Sequence, residues 1–154
     1  MVEKENLFRV QAVASHKPWA AISALRPAQR QVTFLLRLSL AIVFFWFGVL
    51  KLIEMSPVVE LLRSSFPVLA RSPYLELLGL AEIIIAAGLL VDRLSKSAAA
   101  LMILHLLGTL SVVWVSPALV FAPAFPVLTM AGEFLAKNVV FIMAGLVVLS
   151  SRER

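Results

Sequence analysis

The chain has 154 residues, of which 61% are hydrophobic and 15% charged, and its mean hydropathy is +0.96. Soluble domains are nearer half apolar and a quarter charged, so this composition excludes an ordinary soluble domain and indicates one membrane domain. The sequence contains no cysteine, which excludes thiol redox catalysis, iron–sulfur ligation and disulfides within this chain. The net charge of +5 forms no basic patch on a soluble face, so nucleic acid is not an expected partner.

The first 31 residues mix charged and apolar positions and contain Pro18 and Pro27. Trp19, Ile22 and Leu25 recur at helical spacing, which predicts one or two short interfacial helices with Trp19 as an anchor. The two prolines are expected to break this stretch, and a partly ordered tail is the alternative. We therefore assign residues 1–31 to a cytoplasmic or interfacial segment.

Four long apolar runs follow, at residues 32–53, 74–91, 97–115 and 134–150. Each is close to the roughly 20 residues that a helix needs to cross a bilayer. Runs of this length without strict alternation favour helices over barrel strands. The sequence thus predicts an all-α, polytopic membrane protein. A four-transmembrane-helix bundle would fill residues 32–150, with a cytoplasmic tail at 151–154. The first run is as long as a true span, so we expect no cleaved signal peptide.

The basic residues outside the runs are distributed unequally. Nine lie before the first run, between the second and third, or after the fourth, whereas only Arg63 and Arg71 lie in the opposite connections. The positive-inside rule therefore predicts a multi-pass membrane protein with both termini in the cytoplasm. The lipid bilayer is the first expected partner, and anionic headgroups would attract the basic N-terminal segment.

The two predicted outer connections differ in character. Ser56 and Pro57 resemble a helix start, and the residues after them predict a short helix lying on the membrane. Residues 116–132 carry no charge and contain three prolines. A solvated loop would be polar, so we expect this connection to dip into the interface or to pack over the helix ends.

Six charged residues stand within or beside the apolar runs, and a depth of about 1.5 Å per residue places them all in the outer half of the bilayer. They are Lys51, Glu54, Glu76, Glu82, Glu133 and Lys137. A charge at the centre of a span costs roughly 2.5–3.5 kcal/mol on insertion scales, so such residues pair or face a polar interior. We expect Lys51 or Lys137 to pair with Glu82, and Glu133 to pair with Lys137 at helical spacing.

Two roles for this cluster remain open. The charges could neutralise one another and fix the helix register, since buried ion pairs add little net stability but can select one arrangement. Alternatively, they could form a site for a ligand, a proton or an ion. His105, Thr109 and Asn138 are candidates to extend the polar interior. His105 has no second histidine in a span, so no metal or haem site is expected, and Arg37 can snorkel to cytoplasmic headgroups.

Short motifs across the four runs resemble those of the DoxX-like integral membrane family, over roughly residues 37–149. The chain is most similar to the branch that includes inner-membrane proteins of reactive-chlorine resistance. The motifs that carry the resemblance lie at residues 47–54, 72–73, 79–82, 88–90, 115–117 and 132–138. In the last of them the family pattern resembles Gly-Arg-Phe…Lys-Asp, whereas this chain has Glu133 and Asn138.

The resemblance implies a four-helix inner-membrane bundle without a defined set of catalytic residues, and some relatives are subunits of quinone-linked oxidoreductases. No catalytic motif stands out in the sequence either. The first functional hypothesis is a non-catalytic accessory subunit or envelope stress-resistance protein, with a protein partner or a homo-oligomer and no cofactor. The second is a quinone- or lipid-linked redox component, and the third is a proton or small-solute carrier. In the second, Lys51, Glu82 and Lys137 would line a pocket in the outer half of the bilayer.

Overall fold

The computed structural model describes residues 18–56 and 58–151, with side chains from residue 29 onward. Predictions for residues 1–17 and 152–154 lie outside these ranges. Residues 35–154 group into one compact unit, to which the packing described below belongs.

The described residues form α-helices and no named strand, as the sequence predicts. In chain order the helices are α1 (Pro18–Leu52), α2 (Val58–Ser65), α3 (Tyr74–Leu90), α4 (Ser95–Leu110), α5 (Val112–Val115), α6 (Pro117–Val120) and α7 (Met130–Ser150). The break expected at Pro27 is wrong, because α1 continues through it. Pro18 stands at the first position of α1, where a missing N–H costs no helical hydrogen bond.

Three helical segments are long and apolar enough to cross a membrane, at Gln29–Leu52, Ser95–Val115 and Met130–Ser150. The predicted membrane character is therefore confirmed for these three. Helix α3 occupies the second apolar run, but its 17 residues stand at the lower limit of about 17–25 for a spanning helix. Its crossing of the bilayer stays a prediction.

The packing of the bundle centres on α4, which lies against both α3 and α7. One buried cluster joins Phe44 of α1, Leu89 of α3 and Met102 of α4 to Ile142 of α7. A second cluster lies beside α2 and the short helices, and contains Leu61, Val112, Val120 and Leu135. Many other large apolar side chains are exposed on the outside of the bundle, as expected for a surface that faces lipid.

Helices α1 and α3 approach most closely at a pair of glycines. A Cβ atom on Gly48 would lie 2.6 Å from the carbonyl oxygen of Gly79, and one on Gly79 would lie 2.8 Å from the carbonyl oxygen of Gly48. Small residues at such crossings let two helix backbones pack tightly in membranes. The position matters for the site, because Lys51 and Glu82 each follow one of these glycines by one helical turn.

Arg37 does not snorkel to headgroups. Its side chain is buried, its Nε donates to the carbonyl oxygen of Leu89 at 2.6 Å, and one of its terminal nitrogens lies 2.8 Å from Asp92 Oδ1. The guanidinium thus satisfies a carbonyl in the last turn of α3, where the helix leaves acceptors unpaired. This contact ties α1 to the turn between α3 and α4.

The uncharged connection before α7 is held at its two ends, whereas most of residues 122–130 are exposed. Its expected placement, in the interface or over the helix ends, stays a prediction. Val120 is buried, and the Thr129 hydroxyl donates to the carbonyl oxygen of Leu119 at 2.6 Å. The same hydroxyl accepts from the Gly132 N–H at 3.0 Å and so caps α7. These contacts fix where α7 begins and therefore how its side chains face the bundle.

Replacing Gly48 by alanine is expected to separate α1 from α3, because the added methyl group would lie 2.6 Å from the backbone carbonyl oxygen of Gly79, which cannot move aside as a side chain can. Overpacking of this kind costs about 1–3 kcal/mol, so thermal unfolding in detergent should begin several degrees lower. Gly108→Ala is the matched control, since a Cβ there meets no atom within 4 Å. It should leave stability unchanged or raise it by up to about 1 kcal/mol through helix propensity. Equal effects of the two substitutions would contradict the glycine crossing.

Candidate binding site in the helix bundle

A cavity of about 420 Å³ lies between the helices of the unit and is lined by residues from both apolar clusters. Its wall is mainly apolar and includes five phenylalanines, at positions 44, 47, 66, 134 and 141. The short helix α2 and the residues after it form one side, through residues such as Leu61, Leu62 and Leu69. Each of the four long helices also contributes a polar side chain: Lys51 from α1, Glu82 from α3, His105 from α4 and Asn138 from α7.

The strongest polar contact in the cavity wall joins Lys51 to Glu82. The Nζ atom of Lys51 lies 2.8 Å from Oε1 and 2.7 Å from Oε2 of Glu82, so one ammonium group binds both carboxylate oxygens. The two residues are only 5% and 4% exposed, respectively. Charged hydrogen bonds of this length hold two desolvated ions together, and neither partner has water to replace the other.

His105 adds a third group to this pair. Its Nε2 atom lies 2.9 Å from Oε1 of Glu82, and its ring meets the edge of Phe44 with centroids 6.2 Å apart. Since Lys51 binds both carboxylate oxygens, Glu82 accepts and the imidazole donates through Nε2. Thr109 donates to the His105 backbone carbonyl at 3.1 Å, within α4. We call Lys51, Glu82 and His105 the polar trio.

Asn138 completes the polar part of the wall. The residue is 3% exposed, and its Nδ2 atom is buried without a hydrogen-bond partner among the described residues. Phe134 and Phe141 stand one turn before and after it on the same face of α7, and both line the cavity. A buried amide donor between two aromatic rings is unusual, because nearly all buried donors in proteins are paired.

The other predicted site residues lie away from the polar trio. Glu133 and Lys137 are exposed on α7, and neither forms an ion pair with a described residue, so the expected Glu133–Lys137 pair is not formed. Glu76 is exposed and accepts a hydrogen bond from the Ser72 hydroxyl. Glu54 is exposed beyond the end of α1, with a φ of 56°. The structure thus brings Lys51 and Glu82 together and leaves the other four charges outside.

The sequence predicts Lys137 as a member of the charge cluster and Asn138 as a candidate for the polar interior, but of the two only Asn138 lines the cavity. Lys137 lies one position, or about 100°, further around α7 and is exposed. The inward face of α7 is marked by helical spacing in the sequence. Its residues, which are buried together, are Leu135, Asn138, Ile142 and Gly145. The contribution of α2 to the wall depends on how the chain folds back after α1, for which the local sequence gives no pattern.

Within the described residues, no group of three or more His, Cys, Asp or Glu side chains is arranged to hold a metal ion. The polar trio contains two such residues and a lysine, whose ammonium group occupies the position that a cation would take. Its chemistry is that of a hydrogen-bonding and proton-holding group at the edge of an apolar cavity.

These features define a small helical membrane protein with a mainly apolar cavity whose wall carries the polar trio. The chain belongs to the DoxX family, whose profile matches residues 32–117, more than half of its length. This match includes Lys51, Glu82 and His105, whereas Asn138 lies beyond it. No curated protein and no solved structure matches the chain.

Removing one charge of the buried pair should lower the free energy of unfolding more than removing both. Lys51→Met leaves a buried carboxylate and Glu82→Gln leaves a buried ammonium group, so each should lower the free energy of unfolding by about 3 kcal/mol or more. The double variant should lose less than either single variant, because the remaining amide still accepts from His105. Reversible unfolding in detergent of the wild type, the two single variants and the double variant measures these free energies.

Glu60→Gln serves as the control, since Glu60 pairs with Arg63 at 3.0 Å on the exposed face of α2. An exposed pair contributes no more than about 1 kcal/mol. Additive losses in the double variant of Lys51 and Glu82 would show that the two residues do not depend on each other.

Proposed function

We propose that this DoxX-family membrane protein binds a lipid-soluble amphipathic molecule, a quinone or a lipid, in the cavity of its helix bundle. The observation that carries the proposal is the combination of a mainly apolar cavity of about 420 Å³ with the polar trio in its wall. Ligand pockets of about 300–1,000 Å³ with a few convergent polar groups are typical of small-molecule sites.

The division of the wall suits a molecule with a polar head and an apolar tail. Phenylalanines and leucines from α1, α2 and α7 supply surface for the tail, and the polar trio with Asn138 supplies donors and an acceptor for the head. A purely structural ion pair would need no cavity beside it. A quinone carbonyl near Lys51 or His105 would be polarised by their N–H groups, and Glu82 could hold a proton.

The role that follows is binding rather than turnover by this chain alone. The trio can hold and orient a head group, while a redox step would need a partner that supplies or removes electrons. An accessory component of a quinone- or lipid-linked system, in line with the stress-resistance branch that the sequence resembles, fits both properties. With both termini in the cytoplasm of a bacterium, the cavity would lie toward the outer leaflet of the inner membrane.

Purification in mild detergent followed by solvent extraction tests the proposal. The wild-type protein should retain a quinone or lipid at close to one molecule per chain, identified by mass spectrometry. The Lys51→Met/Glu82→Gln double variant should lose most of it, because the head group would meet a different set of donors. Glu76→Gln is the control, since Glu76 is exposed outside the cavity. A wild-type protein that carries no bound molecule and takes up none would contradict the proposal.

The same double variant separates binding from transport. A proton or small-solute carrier that used the trio would lose liposome flux when Lys51 and Glu82 are neutralised. Flux that is absent from the wild-type protein, together with a retained ligand, favours the binding role.

A second candidate role, that of a subunit held by a protein partner, is favoured by one surface. Phe125, in the connection that leads into α7, is 79% exposed, and Met130, the first residue of α7, is 90% exposed. Large exposed apolar side chains on a connection indicate a contact surface for protein or membrane.

For that subunit role, a Phe125→Ser/Met130→Ser variant should release a partner that co-purifies with the wild-type protein in mild detergent, while the thermal stability of the chain stays unchanged. The exposed charge variant Lys137→Gln, also on α7, should keep the partner. Recovery of the wild-type protein only as a monomer without any partner would exclude the subunit role.

A further inference from the structure

Asn138 is a polar residue of the cavity wall whose amide nitrogen no described residue satisfies. Its Nδ2 atom is buried and has no acceptor among the described residues, although the residue lines the cavity. The polar trio behaves differently, since Lys51, Glu82 and His105 form hydrogen bonds with one another. A donor left unpaired in this position is strongly unfavourable unless a bound molecule brings an acceptor.

The charges of the cavity wall are balanced before any ligand binds. The positive charge of Lys51 is matched by the negative charge of Glu82 at 2.7 Å, and His105 donates to the same carboxylate. Among the described residues that line the cavity, no further lysine or arginine is present to receive an anion. An anionic head group would therefore have to compete with Glu82 for Lys51, and a cationic one would face Lys51 itself.

We propose that the ligand has an uncharged head with a hydrogen-bond-accepting carbonyl or hydroxyl oxygen, and that Asn138 is the residue that selects it. This inference rests on the proposed function, because it concerns the molecule held in the same cavity. The Asn138 Nδ2 donates to the oxygen of the head, while the apolar wall holds the tail. A neutral quinone and a neutral glyceride share this chemistry, and both differ from an anionic phospholipid by their lack of charge.

If Asn138 served only to stabilise the fold, its replacement would change the stability of the empty protein differently. A side chain that only stabilises the bundle would lower stability when replaced. A donor kept for a ligand is instead a cost to the empty protein, so its replacement by leucine should leave the stability of the empty chain unchanged or raise it. Affinity and stability should therefore change independently of each other at this position.

The test measures the affinity of three probes for the full-length protein in lipid nanodiscs, by isothermal titration calorimetry. The probes are a short-chain ubiquinone analogue, dioctanoylglycerol and dioctanoylphosphatidate. The last two carry the same acyl chains and differ only in the phosphate group. The wild-type protein should bind at least one neutral probe at least about tenfold more tightly than the phosphatidate. The neutral probe that binds more tightly shows whether the cavity prefers a quinone or a glyceride.

The variants Asn138→Leu and Asn138→Asp then separate the donor from the shape of the side chain. Leucine removes the hydrogen bond and should weaken the neutral probe by about tenfold. Aspartate has almost the same shape as asparagine but replaces the donor with an acceptor, so it should weaken the neutral probe at least as much. The melting temperature of the empty Asn138→Leu protein should equal or exceed that of the wild type.

Neutral-probe affinity that stays at the wild-type value in both variants would overturn the role of Asn138. Wild-type binding of the phosphatidate as tight as that of the glyceride would overturn the neutral head. Failure of the wild-type protein to bind any of the three probes would overturn the proposed function itself, and the inference would fall with it.

Discussion

A lysine and a glutamate inside an apolar helix bundle persist only when they are in contact, and this constraint governs the structure around Lys51 and Glu82. Their contact at 2.7 and 2.8 Å requires α1 and α3 to lie at one separation and in one register. The glycine crossing at Gly48 and Gly79 provides that separation, because any side chain there would push the helices apart. The ion pair adds little net stability. Its main effect is on specificity, because helices in another register would leave both charges buried and unpaired.

The remaining helices are arranged around this contact. Helix α4 brings His105 to the Glu82 carboxylate, and α7 adds Asn138 and two phenylalanines to the wall. Helix α2 completes the apolar surface. The result is a polar trio whose members form hydrogen bonds with one another, beside an apolar cavity. A close-packed core would contain no such cavity, whereas a binding site requires one.

The sequence predicts much of this arrangement where a strong local signal exists. Hydrophobic run length predicts the helical membrane character. The cost of a charge in hydrocarbon predicts that Glu82 pairs with Lys51 or Lys137, and the structure shows the contact with Lys51. Which side of α7 faces the cavity is harder to predict. Lys137 stands beside Asn138, and a charged residue in an apolar run is the more obvious candidate for the interior. The wall formed by α2 and the contact of Arg37 with Leu89 both depend on chain reversals, and no periodicity encodes those.

The central claim is that the polar trio and Asn138 border a space that a bound molecule fills. The most direct measurement is an experimental density map of the protein extracted together with its native lipids, recorded by electron cryo-microscopy with a rigid binding partner. The account predicts elongated density in the cavity, with its head within hydrogen-bonding distance of Asn138 Nδ2 and its tail against the phenylalanines. Side chains that close over the same space, with Asn138 paired to another residue of the bundle, would contradict it.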